Sequence, residues 1–398
     1  MRQLECRNAC ATYAAGVMLL TDARVVTPTA VLDPGWVAID SGRIAQVGAG
    51  TFPAADERHE LDGRWIVPGF IDLHMHGGGG HATLSADPAE VVAAAAFHRA
   101  HGTTSTLASI VSAPLNEMLA ALAAVRDASP GVTGSHLEGP FLSPARAGAH
   151  DPRHLLLPDP ATFERLLDTA GGTLRVITLA PELPGGMDLV RQAVAAGVVV
   201  AIGHSDADDG QASEAFDAGA TLVTHLFNAM PPWHHRDPGL AGTALSRPDI
   251  VCELINDGIH LHDATARVAF GAAGSGRIAL VTDAIAATGA GEGDFRLGSA
   301  AVRVVDGAAR LADGRTLAGS TLTMDVALRR AVHELGVPIE VAVQAASTTP
   351  ARVVGLADET GSLVTGGAAD LVVLSPDLEV EAGMADGRWI TSGRLFHT

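Results

Sequence analysis

The sequence predicts an α/β chain built on a (β/α)8 TIM-type barrel, with a small β-sandwich domain assembled from both chain ends. Three observations predict it. Eight short apolar stretches between residues 66 and 283 alternate with helix-like stretches. Most of the eight are apolar on both faces, as buried parallel strands are. The segments flanking them read instead as short alternating strands broken by glycine and aspartate. The expected division is an N-terminal extension over 1–17, a first part of the β-sandwich over 18–66, the catalytic barrel over 67–352, and the rest of the β-sandwich over 353–398.

The elements follow in order. Residues 1–17 carry Arg2 and Arg7 before small apolar residues, a faint likeness to a secretion signal. Polar residues interrupt that stretch, and it runs into strand-like sequence without a clean cleavage site, so it reads as an extension, with Met18 as an alternative start. MLLTDARVVT, WVAID and RIAQVGAG then read as strands, separated by turn chemistry at Asp33-Pro34-Gly35 and Ser41-Gly42. The barrel strands are IVPGFIDLH (66–74), TTSTLAS (103–109), VTGSHLE (132–138), LRVITLA (174–180), VVVAIGH (198–204), ATLVTH (220–225), IVCELIN (250–256) and RIALVTD (277–283). Residues 88–102 and 115–128 read as helices between them. A doubly wound open sheet is the alternative, but its nucleotide fingerprint is missing. The glycine run Gly77–Gly80 lacks a following Gly-Lys-Ser/Thr, and the GAAGSG at 271–276 precedes a strand.

Composition narrows the function. The 398 residues carry 26 Lys+Arg against 45 Asp+Glu, a formal charge of −19, which argues against nucleic acid or an anionic membrane as partner. No apolar run reaches the roughly 18 residues of a membrane helix. Three cysteines (Cys6, Cys10, Cys252) make no disulfide framework, so a reducing cytoplasm is expected. All 26 basic residues are arginine. The lack of lysine excludes a Schiff-base lysine, a phosphate-loop lysine and a carboxylated lysine bridging two metals.

The chemistry gathers at the strand ends. His74 and His76 end the first candidate strand, Glu138 the third, His204 the fifth, His225 the sixth and Asp283 the eighth. Active sites of such barrels sit at the C-terminal strand ends, so six metal-competent side chains share one rim. Residues i and i+2 of a strand share a face, so His74 and His76 both point into the mouth. Imidazole and carboxylate suit zinc or iron. His98 and His101 lie on a helix and read as structural. His136, two before Glu138, supports the metal residues or simply packs. Ser205 and Ser320 lie in no nucleophile-elbow context.

PGFIDLHMHGGGG resembles the first-strand motif of the amidohydrolase superfamily of metallo-dependent hydrolases. The ordered set HLEGPFLSPARAGAH, IGHSDA, THLFNAMPPWHHRDPGLAG, NDGIH, VTDA and LAGSTLTMD resembles one family within it, the N-acetylglucosamine-6-phosphate deacetylases. The resemblance implies a metal-dependent hydrolase that turns a phosphorylated N-acetyl amino sugar into the free amine and acetate. This would be a cytoplasmic step of amino-sugar catabolism and cell-wall sugar recycling. It implies a divalent metal, one or two per subunit, zinc foremost, with iron, cobalt, manganese or cadmium as alternatives. Glu138, His204 and His225 match the ligands of the common metal site, and Asp283 matches the catalytic aspartate that also borders the metal. His74 and His76 match variable positions where histidines permit a second metal, with Glu138 bridging. His150 matches a residue near the substrate amide, beside Ala149. Asn228, the Ala229 backbone, Arg236 and His260 match the phosphate-binding group. Leu317, Ala318 and Gly319 match a loop over the sugar. The family forms homodimers in which the residue matching Arg236 reaches the neighbouring site. In support, Pro231-Pro232-Trp233 and Pro238 make a stiff loop carrying an interface-type tryptophan.

Overall fold

The computed structural model describes residues 16–391. The proposed extension therefore lies almost wholly outside the described residues, with Cys6 and Cys10. Val17, placed in it, donates its N–H to Asp56 Oδ2 at 2.8 Å.

Eight parallel strands pair in chain order: Phe70–Met75, Thr103–Val111, Val132–Glu138, Leu174–Leu179, Val199–Ile202, Leu222–Val223, Val251–Ile255 and Ile278–Val281. The curved sheet closes at its C-terminal rim, where the Asp283 N–H donates to the His74 carbonyl and the His76 N–H to the Ala284 carbonyl, both at 2.8 Å. Helices cover the outside because their sequences start and stop cleanly. Pro88–Arg99 is capped by Asp87 and Pro160–Ala170 by Asp159. Asp209–Asp217 begins with a reciprocal capping box between Asp208 and Gln211. After Pro88–Arg99 the chain turns at Gly102, whose φ of +85° and close approach to the Phe70 ring admit no side chain. One continuous core joins the strands to these helices, with Phe70, Leu73, Leu107, Phe163 and Val200 fully buried.

A second sheet draws on both ends of the chain. Met18–Val26, Val31–Asp40, Arg43–Ala49, Glu57–Glu60 and Trp65–Pro68 join Leu371–Leu374, Val380–Ala385 and Arg388–Thr391 around a separate core of Leu20, Val37, Ile66, Leu371 and Met384. Two expectations are corrected here. IVPGFIDLH is not one strand but two. Trp65–Pro68 pairs antiparallel with Leu371–Leu374, the chain breaks at Gly69, and Phe70–Met75 enters the barrel. Gly69 sits so close to Thr104 that a Cβ would lie 2.2 Å from its Oγ1. Asp33-Pro34-Gly35 does not separate strands. It lies inside Val31–Asp40 as a register irregularity, and the reversal comes at Thr27–Ala30, held by the Thr27 hydroxyl. Ser41-Gly42 is the expected tight turn.

One feature was not anticipated. Between the eighth barrel strand and the helix Met324–His333 stands a three-stranded antiparallel sheet of Gly293–Leu297, Ala300–Val305 and Ala308–Leu311. It overhangs the barrel mouth. Among the described residues no helix is long and apolar enough to cross a membrane.

Candidate metal centre

The six rim residues predicted from the sequence converge. Glu138 ends its strand as expected, whereas His204, His225 and Asp283 each fall two residues past theirs. Those three hold φ values of +48°, +27° and +49°, a region that costs a residue with a Cβ roughly 1–2 kcal/mol. Local bonds hold them there. The Ser143 N–H donates to the His204 carbonyl (2.9 Å) and the Ser320 N–H to the Asp283 carbonyl (2.7 Å). The His225 N–H donates to Glu253 Oε2 at 3.2 Å.

Two triads share one carboxylate. Glu138, His204 and His225 bring their ligand atoms together, as do His74, His76 and Glu138. Glu138 Oε1 lies 3.1 Å from His204 Nε2 and 3.2 Å from His225 Nε2, and its Oε2 lies 3.1 Å from His76 Nε2. Asp283 Oδ1 stands 3.5 and 3.4 Å from the Nε2 atoms of His74 and His76. Hydrogen-bond partners fix the tautomers of His204 and His74. His204 Nδ1 faces the Arg146 carbonyl at 2.8 Å, which only accepts, so Nδ1 carries the proton. His74 Nδ1 likewise donates to Glu253 Oε2 at 3.2 Å. The Nε2 lone pairs of His74 and His204 therefore point inward, while the buried Nδ1 atoms of His76 and His225 meet no partner among the described residues. His74 and His76 Nε2 lie 3.0 Å apart, and so do His204 and His225 Nε2. Buried nitrogens this close together, among carboxylate oxygens and with two Nδ1 atoms left unpartnered, are the surroundings a cation would satisfy. Either triad could hold a divalent metal, and Glu138 belongs to both.

Burial and charge contend in this cluster. Burial opposes charge on Glu138, but the imidazoles led by His74 and His150 hold its carboxyl well below the usual carboxylate range. His150 is pushed down to about 4, chiefly by burial, so it is neutral. Its Nδ1 accepts the Ser112 N–H (3.3 Å), which leaves Nε2–H directed at Glu138 Oε2, 3.2 Å away. His136 is buried and held well below its usual value by desolvation. It is tied to Ser109 and Thr178 and lies edge-on to His74, a packing and orienting role. His98, bonded to the Gly77 carbonyl, is structural as expected.

A cavity of about 270 Å³ opens over the metal residues. His76, Glu138, His204, His225 and Asp283 form its floor, and Ala149, His150, Asn228, Ala229, His260, Leu317 and Gly319 line its walls. His260 Nδ1 pairs with Asp257 Oδ2 at 2.7 Å. Burial works against its charge, but Asp257 outweighs burial and raises the imidazole above its ordinary value. The Asn228 side-chain amide donates to the His225 and Leu226 carbonyls (3.1 and 3.3 Å), so it shapes this turn. Three expected residues sit elsewhere. His74 lies fully buried beneath the floor, Ala318 is packed against Ile285 and Val302, and Arg236 is exposed, bonded to His235 Nε2 at 2.7 Å. Arg315 and Leu297, brought by the overhanging sheet, line the cavity and were missed. So was Glu253, whose only signal was a lone carboxylate inside the apolar run IVCELIN.

A family model described as the amidohydrolase family matches residues 65–390. The N-acetylglucosamine-6-phosphate deacetylase of Bacillus subtilis (strain 168) is 36% identical over 374 residues, 91% of this chain and 94% of its own. The enzyme of the same name from Bos taurus is 39% identical over 390 residues, 94% of this chain and 93% of its own. The crystal structure of N-acetyl-D-glucosamine-6-phosphate deacetylase from Mycobacterium smegmatis superposes with a TM-score of 0.90 at 44% identity, covering 94% of this chain and all of that one. A mutant of that enzyme, in complex with N-acetyl-D-glucosamine-6-phosphate, superposes with a TM-score of 0.91 at 43% identity, covering 95% and 100% of the two chains.

Proposed function

The chain belongs to the amidohydrolase family and, within it, to the N-acetylglucosamine-6-phosphate deacetylases, and from that premise we propose how its residues divide the work. It is a metal-dependent hydrolase that converts N-acetyl-D-glucosamine 6-phosphate and water into D-glucosamine 6-phosphate and acetate. In our reading His204, His225 and Glu138 hold one divalent cation, and His74 and His76 share Glu138 to hold a second, with zinc foremost. Bound there, the metal supplies Lewis acidity toward the acetamide carbonyl and an acidified water. Asp283 takes a proton from the attacking water as its oxygen bonds to the carbonyl carbon. It returns that proton to the sugar nitrogen as the C–N bond breaks, so one carboxylate acts as base and then acid. The neutral His150 donates its Nε2–H to the carbonyl oxygen, where negative charge develops.

The sugar is proposed to lie against Ala149, Leu317 and Gly319, with Ala318 buried behind them as support. Its phosphate meets His260, whose charged form Asp257 favours, and the Ala229 N–H, in the turn that Asn228 shapes. Arg236, exposed beside the half-exposed Trp233, belongs in this reading to the phosphate site of a second copy in a homodimer. A cytoplasmic setting completes it.

The observation that carries the assignment is the double triad on Glu138 at the floor of a cavity walled by His150 and His260. Acetate release measured side by side from the phosphorylated and unphosphorylated sugars, with metal content determined, tests it. Preference for the phosphorylated sugar is expected. No acetate from either by metal-loaded protein would overturn the assignment.

A further inference from the structure

We propose that Glu253 is the positioning residue that makes the His74–His76 pair a second metal site rather than two buried histidines. This rests on the metal-dependent deacetylase reading. Glu253 lies in the seventh barrel strand and is fully buried, a place where an isolated carboxylate is costly. Its Oε2 takes two hydrogens: the His74 Nδ1–H and the His225 backbone N–H, each at 3.2 Å. One side chain thus holds a residue from each triad. Oε1 meets no donor among the described residues. The Glu253 carboxyl is accordingly matched only in part by hydrogen bonds, and a cation on the far side of His74 would complete the match.

The bond to His74 does two things. It keeps the proton on Nδ1, so the Nε2 lone pair stays aimed between Glu138 Oε1 and Asp283 Oδ1, 3.4 and 3.5 Å away. It also raises the basicity of that lone pair, as a carboxylate behind a ligating imidazole does. The bond to His225 is of another kind. It reaches the backbone only, at a turn also held by the Glu253 carbonyl, which accepts the Leu226 N–H at 2.9 Å. That turn keeps the latter bond when the side chain is changed. Loss of the carboxylate therefore falls mainly on the His74 triad.

The test is titration of chelated, refilled protein with zinc(II), with equivalents counted by mass spectrometry, in wild type, Glu253→Ala and Glu253→Gln. Wild type should take up two equivalents per chain. Glu253→Ala should bind the second about 10–100-fold more weakly. The first should move less than about tenfold, the lower edge of that range. Glu253→Gln should fall between, because its carboxamide oxygen still accepts from His74 while the charge is gone. It decides the matter alone if the alanine variant does not fold. The visible spectrum of cobalt(II) as second equivalent should change in the same order. An unchanged second equivalent, equal weakening of both equivalents, or a wild type that binds only one would each overturn the proposal. Acetate release, assayed separately, would expose failure of the underlying reading without touching the metal count.

Discussion

Asp283→Asn isolates proton transfer from everything else the residue does. Asp283 holds φ = +49°, a conformation asparagine tolerates nearly as well as aspartate, so the turn should survive. Its backbone bonds to His74 and Ser320 do not involve the side chain. The substitution keeps an oxygen near His74 and His76 Nε2 but removes the ability to accept a proton from water. General acid–base catalysis contributes 10²- to 10⁴-fold, which at 1.36 kcal/mol per decade is about 3–5 kcal/mol of barrier. The whole loss should appear in kcat. KM should change little, because the proposed phosphate contacts at His260 and Ala229 are untouched. Asp283→Ala gives the contrast, since alanine pays roughly 1–2 kcal/mol for the left-handed turn and should also melt lower. Steady-state acetate release and metal content of the same preparations decide it. A kcat within tenfold of wild type at equal metal content would refute the proton role, and so would a loss of metal that accounts for the whole fall in kcat.

Three other outcomes are expected. His204→Ala should lose at least one equivalent of metal and nearly all turnover; full activity at unchanged metal content would remove His204 from the centre. His260 has a pKa raised in the folded protein, so its charge is present at pH 6.5 and is lost as pH climbs through that raised value. KM for the phosphorylated sugar should rise there and KM for the unphosphorylated sugar should not, and an identical drift for both would exclude His260 from the phosphate site. Mixed dimers of an Arg236→Ala chain and an Asp283→Asn chain should regain one working site, because the second chain donates Arg236 to the subunit that keeps Asp283. No recovery in dimers shown to have exchanged would place the arginine's action within its own chain or nowhere.

The rim residues were legible because buried parallel strands are continuous apolar runs, and a polar residue at the end of each stands out. His74 and His76 followed from strand alternation, yet alternation alone did not foresee that His74 sinks beneath the floor while His76 lines it. What stayed hidden depends on partners far along the chain. The break at Gly69 is set by Leu371–Leu374, some three hundred residues away, which draws Trp65–Pro68 into the other sheet. Strands as short as Ala308–Leu311, bounded by glycine and aspartate, read as loop until they pair. Arg315 reaches the cavity only because that small sheet overhangs the mouth. Whether Ala318 or Gly319 faces the cavity turns on one reversal of the backbone. Gly319 has φ = +63°, and a Cβ there would lie 2.7 Å from the Asp283 carbonyl oxygen.

The centre also bears on stability. The imidazoles of His74, His76, His150, His204 and His225 and the carboxylates of Glu138, Asp283 and Glu253 crowd one end of the barrel, and all are buried. Such a cluster is costly to bury without a cation, since the Nδ1 atoms of His76 and His225 and the Oε1 of Glu253 meet no partner among the described residues. A metal that binds only the folded chain stabilises it by RT ln(1 + [L]/Kd), about 2.7 kcal/mol at a hundredfold excess over Kd. For a domain of this size that is a shift of roughly 5 °C in melting temperature. Chelation should lower the melt by about that much, and zinc(II) should restore it. In His204→Ala the same chelation should shift it far less. If chelated and loaded wild type melt together, the histidine cluster is stable without a cation, and the inference drawn from its unpartnered buried atoms fails.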